Sequence, residues 1–511
     1  MSVAAADLRF DRVRWPQAQA VRHRALLALA PDGGQGLLAD RPADALLLQA
    51  AESRLAGPLH WWRCDSAALD AWLAQGETDG RALDALDVLD GDANRGGIAG
   101  PFSGQPGAAQ ELTLAGLGAE TSPAVRLLDA VLFDALQDGA SDIHIETQPQ
   151  GAQVRLRVDG VMQPMRRIDG AAQAEQIVSR LKVMAELDIG ERRLPQDGRF
   201  KLRVQGREID FRLSIMPSIF GEDAVVRVLD RSRIAPGTGP LTLATLGFAP
   251  GLRQTLVALA RAPHGMLLVT GPTGSGKTTT LYAAITEILG GHEKIITIED
   301  PVEYQLAGVV QIPVNEKKGL GFARGLRSIL RHDPDRVMVG EIRDAETAQI
   351  AVQAALTGHG VFSTVHANSA FDVIGRFMHM GLDLYNVVAA LNAVLAQRLM
   401  RQICAHCAEP VQPDAAAQAR LDDGSGAPLA LRSGRGCAHC HGSGYRGRRA
   451  VAELMRLDDT LRDLIAARAP MSEIKAAARA GGLVPLRQAA LAAVRAGHTT
   501  LEELDRVVFD D

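Results

Sequence analysis

Short apolar runs, each followed by polar residues, recur through the second half of the chain. They cover residues 266–270, 295–298 and 337–339, and the residues after Thr280 have the apolar spacing of a helix. Runs of this length are typical of buried strands, and strands that alternate with helices favour parallel βαβ units. The second half of the chain, residues 241–511, is therefore predicted to be an α/β domain.

The middle of the chain has a different pattern. A helical spacing over residues 122–136 precedes segments 154–158 and 210–215, in which apolar and polar residues alternate. Alternation with period two predicts strands with one buried face, and Asp159-Gly160 resembles a hairpin turn. We expect a small α+β domain over residues 119–232, and the Pro- and Gly-rich residues 230–240 mark the boundary that follows it.

The first 90 residues contain all four tryptophans between Leu- and Ala-rich segments with helical patterning. This pattern predicts a helical N-terminal domain over residues 1–90. Residues 91–118 are rich in Gly, Pro, Ala and Gln and have few large apolar side chains. Such a composition is typical of a flexible linker.

Composition and charge limit the class of protein. The chain has 511 residues, of which 47% are hydrophobic and 23% are charged, and its net charge is −5. These values are those of a globular protein, and the acidic balance argues against a stable nucleic-acid partner. No run of 18 apolar residues and no signal-peptide core is visible, so a cytoplasmic protein is expected, with any contact to a membrane made through a partner.

The Gly-rich stretch after the first apolar run carries the clearest chemistry. Its spacing, GPTGSGKT, is that of a nucleotide-binding P-loop. Lys277 is expected to reach the β- and γ-phosphates, and the Thr278 hydroxyl is expected to bind Mg²⁺. The residues predicted to contact a nucleoside triphosphate here are Gly271, Pro272, Thr273, Gly274, Ser275, Gly276, Lys277, Thr278 and Thr279.

Acidic residues follow the next two apolar runs. Glu299, Asp300 and Glu303 come after the second run, and Glu341 comes after the third. Ligands bind beyond the carboxyl ends of parallel strands, so these acids are expected beside the P-loop. One carboxylate would orient and deprotonate water, while another would hold hydrated Mg²⁺.

Two histidines, His359 and His366, flank a fourth apolar run. His366 follows that run and is placed to donate to the γ-phosphate. An ordinary hydrogen-bonded histidine is an equally good interpretation of the residues alone.

Two C-x-x-C pairs predict a metal site. Cys404 and Cys407 form one pair, Cys437 and Cys440 form the other, and Cys64 is left over. Four thiolates suit a tetrahedral structural Zn²⁺ site. Cys437 to His441 also satisfies the haem-attachment pattern, which requires export, and disulfides are disfavoured in a reducing cytosol.

Several longer motifs occur in one order, and together they resemble the secretion ATPase superfamily, whose members drive type II secretion and type IV pilus assembly. The resemblance covers the chain from about Ser122 to its carboxyl terminus. Besides the P-loop, it is carried by ASDIHIE (140–146), RLPQDGR (193–199), TIEDPVEY (297–304), FARGLRSILRHDPD (322–335), MVGEIRD (338–344) and STVHAN (363–368).

The resemblance implies roles for individual residues. It implies a RecA-like ATPase core preceded by a PAS-like domain that supplies Arg212 and Arg227 to the nucleotide. Glu303 would be the general base and Glu341 would polarise water near Mg²⁺, although the sequence does not decide which acid accepts the proton. His359 and His366 would form the family's histidine box, and Ala367, Ser369 and Gly360 depart from its usual residues.

The resemblance also implies partners. The motor would be a homo-hexamer acting on the cytoplasmic domains of an inner-membrane secretion or pilus platform, with residues 1–90 as the docking module. The paired cysteines resemble the zinc insert of assembly-type members, here residues 401–448, and favour assembly or secretion over retraction. The type II secretion branch is preferred, with pilus assembly as the alternative.

Three other classes remain open on the residues. A P-loop kinase or GTPase is one, although the Asn-Lys-x-Asp guanine motif is absent. A zinc-dependent nucleic-acid-binding module is another, because Arg446, Arg448 and Arg449 lie beside the second cysteine pair. The third is a structural subunit that does not hydrolyse nucleotide, which the set of acids disfavours.

Overall fold

A computed structural model describes residues 9–11, 14–15, 20, 23–30, 34–55, 58–77, 110–112, 122–204, 206–230, 241–422 and 429–508. The chain forms two compact units, residues 1–230 and 231–511. Most of the predicted linker 91–118 and the boundary segment 231–240 lie outside the described residues. None of the described helices has the length and apolar character needed to cross a membrane.

The N-terminal part of the first unit contains a sheet, so the prediction of a helical domain is wrong. Four strands lie in the order β1-β2-β3-β4. Residues 25–29 and 35–39 are short and almost entirely buried, and runs of this kind have no periodicity that separates strand from helix. The elements are β1 (Arg9–Phe10), β2 (Ala25–Leu29), β3 (Gln35–Ala39), α1 (Ala45–Leu55), β4 (His60–Arg63) and α2 (Ser66–Glu77).

The rest of the first unit is the predicted α+β arrangement. Two helices contribute buried side chains to the same apolar core as a seven-stranded sheet of order β5-β9-β10-β11-β6-β7-β8. The burial of β10 alternates, as its sequence predicts, and Asp159 and Gly160 have positive φ in the turn between β7 and β8. The elements are β5 (Gln110–Glu111), α3 (Pro123–Asp138), β6 (Ala140–Gln148), β7 (Gly151–Val158), β8 (Val161–Asp169), α4 (Ala171–Met184), β9 (Gln196–Val204), β10 (Arg207–Ser218) and β11 (Gly221–Leu229).

Strand β5 lies within the range predicted as linker. It pairs in parallel with β9 at the edge of the seven-stranded sheet. At residues 110–111 this range is therefore part of a folded sheet.

The second unit is an α/β domain, which confirms the predicted fold class. Its sheet has the order β14-β13-β15-β16-β12-β17-β20, and only β20 is antiparallel to its neighbour. The carboxyl ends of β12, β13, β15 and β16 therefore meet at one edge of the sheet.

The strands of this unit are β12 (Gly265–Thr270), β13 (Ile295–Glu299), β14 (Val310–Pro313), β15 (Arg336–Val339), β16 (Gly360–Val365), β17 (Leu391–Ile403), β18 (Ala408–Pro410), β19 (Arg432–Gly434) and β20 (Tyr445–Arg456). Its helices are α5 (Pro250–Ala260), α6 (Lys277–Ile288), α7 (Phe322–Ile329), α8 (Ala345–Leu356), α9 (Asp372–His379), α10 (Leu384–Ala390), α11 (Ala415–Leu421), α12 (Asp459–Ala466), α13 (Met471–Ala480), α14 (Leu486–Arg495) and α15 (Leu501–Val507).

Candidate nucleotide site and cysteine cluster

The predicted P-loop connects β12 to the amino terminus of α6. All six residues of β12 are buried, and α6 begins at Lys277 after Gly276, whose φ is 80°. Gly271 also has a positive φ, of 145°. A Cβ at Gly271 would lie 2.5 Å from the backbone oxygen of Gln397, so the close approach of the loop to β17 requires glycine there.

Lys277 lies inside this loop. Its side chain is buried, and Nζ donates to the carbonyl oxygens of Gly271 at 3.0 Å and Pro272 at 3.1 Å. Burial lowers the pKa of Lys277; the nearby Glu341 carboxylate opposes this shift and Arg398 adds to it. Because the ammonium is desolvated beside another cation, a bound phosphate would stabilise its charged form.

Ser275 adds a second sign of an anion site. Its Oγ is buried and has no hydrogen-bond partner among the described residues. Buried hydroxyl groups are normally hydrogen-bonded. An acceptor oxygen of a phosphate in the loop would supply the missing partner, so the residues present fit the predicted ligand.

Glu341 lies at the same edge of the sheet, in the turn after β15. Its side chain is 13% exposed and forms an ion pair with Arg343. Its other oxygen lies 3.3 Å from Nε2 of His366, which follows β16. Burial first, then the charge of Lys277, lowers the pKa of His366, whereas Glu341 acts in the opposite direction. The structure thus brings Lys277, Glu341 and His366 together, with His366 mainly neutral near pH 7.

The acidic residues after β13 do not share one environment. Asp300 is exposed, and its charge acts on Arg343, which places it at the margin of the group around Glu341. Glu303 is half-buried in the turn that follows.

Glu299 differs from its predicted contact with the nucleotide. Its carboxylate is 2% exposed and accepts hydrogen bonds from Tyr282, Thr297 and Gln311. Burial, followed by the hydrogen bond to this carboxylate, raises the pKa of Tyr282. The side chain of Glu299 is thus oriented into the protein interior, where it anchors the end of β13 instead of the phosphates. The alternation of side chains along a strand accounts for this orientation.

His359 also differs from its prediction. It precedes β16, whereas His366 follows it, so the strand separates the two residues by roughly 20 Å at about 3.3 Å per residue. Its Nδ1 lies 3.1 Å from the carbonyl oxygen of Ala354. Within this unit, the structure does not bring His359 to the P-loop.

The two predicted arginines lie in the first unit, on neighbouring strands. Arg212 on β10 is directly opposite Arg227 on β11 and directly opposite Arg199 on β9. The three arginines line an open groove of about 520 Å³. Like charges directly opposite one another destabilise a sheet, so this row is unfavourable without an anion. Asp142 neutralises one member, since it lies 2.9 Å from Nε of Arg227.

The four predicted cysteine ligands lie together in the second unit. Their sulfur atoms are all within 4.8 Å of one another, and three of the separations are 3.8, 3.8 and 3.7 Å. Four sulfurs at about 2.3 Å from Zn²⁺ lie about 3.8 Å apart in a regular tetrahedron. The backbone N–H groups of Cys437 and Gly444 donate to the sulfur of Cys440 and would stabilise its thiolate. The geometry fits the predicted zinc ligands.

Arg343 and Arg398 in the second unit and Arg199 in the first were not predicted from the sequence. Arg343 lies only two positions after Glu341, and its place in the motif MVGEIRD is a signal that could have identified it. Arg398 comes from β17, more than a hundred residues after the P-loop, and no local pattern connects the two. Arg199 ends the motif RLPQDGR, a signal that could have identified it, and the strand register places it opposite Arg212.

Comparisons with known proteins agree with this geometry. A family model described as "Type II/IV secretion system protein" matches residues 118–506. The chain is 48% identical over 396 residues to type II secretion system protein E of Pseudomonas aeruginosa, covering 77% of each chain. It is 45% identical over 392 residues to type II secretion system ATPase E of Vibrio cholerae, covering 76% of each chain.

A solved structure supports the fold. The ATPase DotB of Legionella pneumophila superposes with a TM-score of 0.54 at 20% identity, covering 74% of this chain and 94% of that one. At this identity the likeness concerns the fold alone.

Proposed function

The chain belongs to the type II/IV secretion system protein family, and we propose that it is the ATP-hydrolysing motor of a type II protein secretion system. The observation that carries the proposal is the arrangement of Lys277, Glu341 and His366 at one edge of the sheet, beside a loop built for phosphate. This arrangement places an ammonium group that can bind phosphate near a carboxylate that can orient or deprotonate water.

Each residue then has a role in hydrolysis. Lys277 would transfer its hydrogen bonds from the carbonyls of Gly271 and Pro272 to the β- and γ-phosphates. Thr278 would hold Mg²⁺, which supplies charge neutralisation on the phosphates when bound. Glu303 would accept the proton of the attacking water, while Glu341, held by Arg343 and His366, would orient water near the metal.

The arginine row of the first unit would stabilise the transferring phosphoryl group. Replacing Arg227 with alanine is expected to lower kcat for ATP hydrolysis about a hundredfold or more, with the Kd for ATP changed less than about threefold, because an arginine finger acts on the transition state. Steady-state phosphate release and equilibrium titration measure the two quantities.

Arg157→Ala is the matched control for this variant. Arg157 also faces Asp142, at 3.9 Å, but does not line the groove. It is expected to keep kcat near that of the wild type. Equal losses of kcat in Arg227→Ala and Arg157→Ala would mean that the loss of a positive charge beside Asp142, and not the loss of a phosphate contact, explains the effect of replacing Arg227.

The cysteine cluster would hold a structural zinc ion. Metal analysis of the purified chain is expected to find about one zinc per chain, and this zinc is expected to be lost in Cys404→Ser/Cys407→Ser, with a lower Tm. Cys64→Ser is the control, because Cys64 lies outside the cluster. Iron in place of zinc, or zinc retained by the double variant, would contradict the assignment.

The partners are proposed from the family. The motor would be a homo-hexamer that contacts the cytoplasmic domains of an inner-membrane platform, which would place it at the inner membrane as a peripheral protein. Residues 1–90 would be the docking module, and changes in domain docking during hydrolysis would transmit force.

Deletion of the gene in its host, with complementation by the wild-type chain, tests the branch of the family. We expect exported proteins to disappear from the culture medium while surface pili remain. Loss of pili with normal export would instead assign the chain to pilus assembly, the second candidate function.

A further inference from the structure

A fully buried glutamine spans the junction between the P-loop and α6. Gln397 lies on β17 with 0% exposure. Its Nε2 donates to the carbonyl oxygen of Ser275 at 2.6 Å, and its Oε1 accepts from the Thr280 hydroxyl at 2.8 Å. One amide therefore joins a residue before Gly276 to a residue in the first turn of the helix.

The sheet register fixes the glutamine in this place. Thr270, the last residue of β12, pairs with Ala396, so Gln397 extends one position beyond β12 and lies beside the loop. The fit is close on two sides. A Cβ at Gly271 would lie 2.5 Å from the backbone oxygen of Gln397, and a Cβ at Gly276 would lie 3.1 Å from its Nε2.

The two hydrogen-bond partners of Gln397, Ser275 and Thr280, lie on either side of the residues whose backbone N–H groups would face a phosphate. Gly276, Lys277, Thr278 and Thr279 lie between Ser275 and Thr280, and the N–H groups in such a turn converge on an anion. If the loop were free to relax, ordering it on binding would cost part of the binding free energy. A loop that is already held in place avoids this cost.

We propose that Gln397 is a positioning residue that holds the P-loop and the first turn of α6 in the phosphate-binding conformation. This inference rests on the proposed nucleotide-binding function and deepens it. Gln397 acts through Ser275 and Thr280 and does not itself touch the nucleotide. Its substitution therefore weakens nucleotide binding without removing any nucleotide contact.

The test uses Gln397→Met, which keeps the volume and removes both hydrogen bonds, and Thr280→Val, which removes one partner. We expect Gln397→Met to raise the Kd for Mg-ADP about tenfold or more, and to raise KM for Mg-ATP more than it lowers kcat. Thr280→Ser, which keeps the hydroxyl, is expected to restore binding to within about twofold of the wild type.

The matched control is Thr286→Val in the same helix. The Thr286 hydroxyl donates to the carbonyl oxygen of Tyr282 at 2.8 Å and not to the loop. It is expected to leave the Kd for Mg-ADP unchanged. The double variant Gln397→Met/Thr280→Val should bind Mg-ADP about as weakly as Gln397→Met alone, because the two changes remove a shared bond.

A purely structural role predicts another result. In that case Gln397→Met and Thr280→Val would lower the Tm of the free chain while the Kd of the folded protein for Mg-ADP stayed at the wild-type value, and the inference would be overturned. A wild-type chain that does not bind Mg-ADP would overturn the proposed function itself, which separates the two failures.

Discussion

Replacing Lys277 with alanine is expected to lower ATP hydrolysis about a thousandfold. The Lys277 ammonium is desolvated inside the P-loop, and its hydrogen bonds within the described part of the chain are those to the carbonyls of Gly271 and Pro272. Removing a charge placed on a transferring phosphoryl group costs on the order of 10²- to 10³-fold or more in kcat. Phosphate release at saturating Mg-ATP measures the loss.

Lys294→Ala is the control for this substitution. Lys294 is also a lysine of the second unit that donates to a carbonyl, that of His332, but it is exposed and precedes β13, away from the carboxyl edge of the sheet. We expect wild-type turnover in Lys294→Ala. Thermal melting should show that the inactive Lys277→Ala chain is folded. A rate of ATP hydrolysis by Lys277→Ala within about tenfold of the wild type would exclude residues 271–278 as the nucleotide site.

Glu303→Gln is expected to lower kcat about a thousandfold, while the Kd for Mg-ATP stays within about threefold of the wild type. A general base contributes typically about 10²- to 10⁴-fold, and the amide keeps the shape of the side chain but cannot accept the proton. Single-turnover hydrolysis and equilibrium binding of Mg-ATP separate chemistry from affinity.

Glu341→Gln distinguishes the two acids. Glu341 lies between Arg343 and His366 and close to Lys277. Removing its charge should therefore lower kcat and also raise the Mg²⁺ concentration needed for half-maximal turnover. Glu346→Gln, which removes an exposed ion pair with Arg327, is the control. Normal turnover in Glu303→Gln, together with a loss of kcat and an unchanged Mg²⁺ requirement in Glu341→Gln, would assign the base to Glu341.

Local sequence predicted those features that one or two short segments form by themselves. The P-loop is one such segment, because glycine spacing, strand and helix adjoin. The cysteine pairs are another, since two C-x-x-C turns need only approach each other for four sulfurs to meet. The family confirmed the motor function that the longer motifs indicated.

Other features depended on information that no local pattern contains. Glu299 and Asp300 are adjacent, yet one is buried and the other is exposed, because β13 is buried along its whole length and ends at Glu299. His359 and His366 belong to one motif but lie at opposite ends of β16. Gln397 becomes significant only through pairing with a strand distant in sequence.

A structure of the chain with Mg²⁺ and a non-hydrolysable ATP analogue would show whether the P-loop holds the triphosphate for hydrolysis. We expect the β- and γ-phosphates to be enclosed by residues 271–278, with Lys277 Nζ moved from the two carbonyls to phosphate oxygens and Glu303 directed at the terminal phosphoryl group. An analogue bound elsewhere, with Lys277 Nζ still donating to the carbonyl oxygens of Gly271 and Pro272, would rule out the proposed nucleotide site.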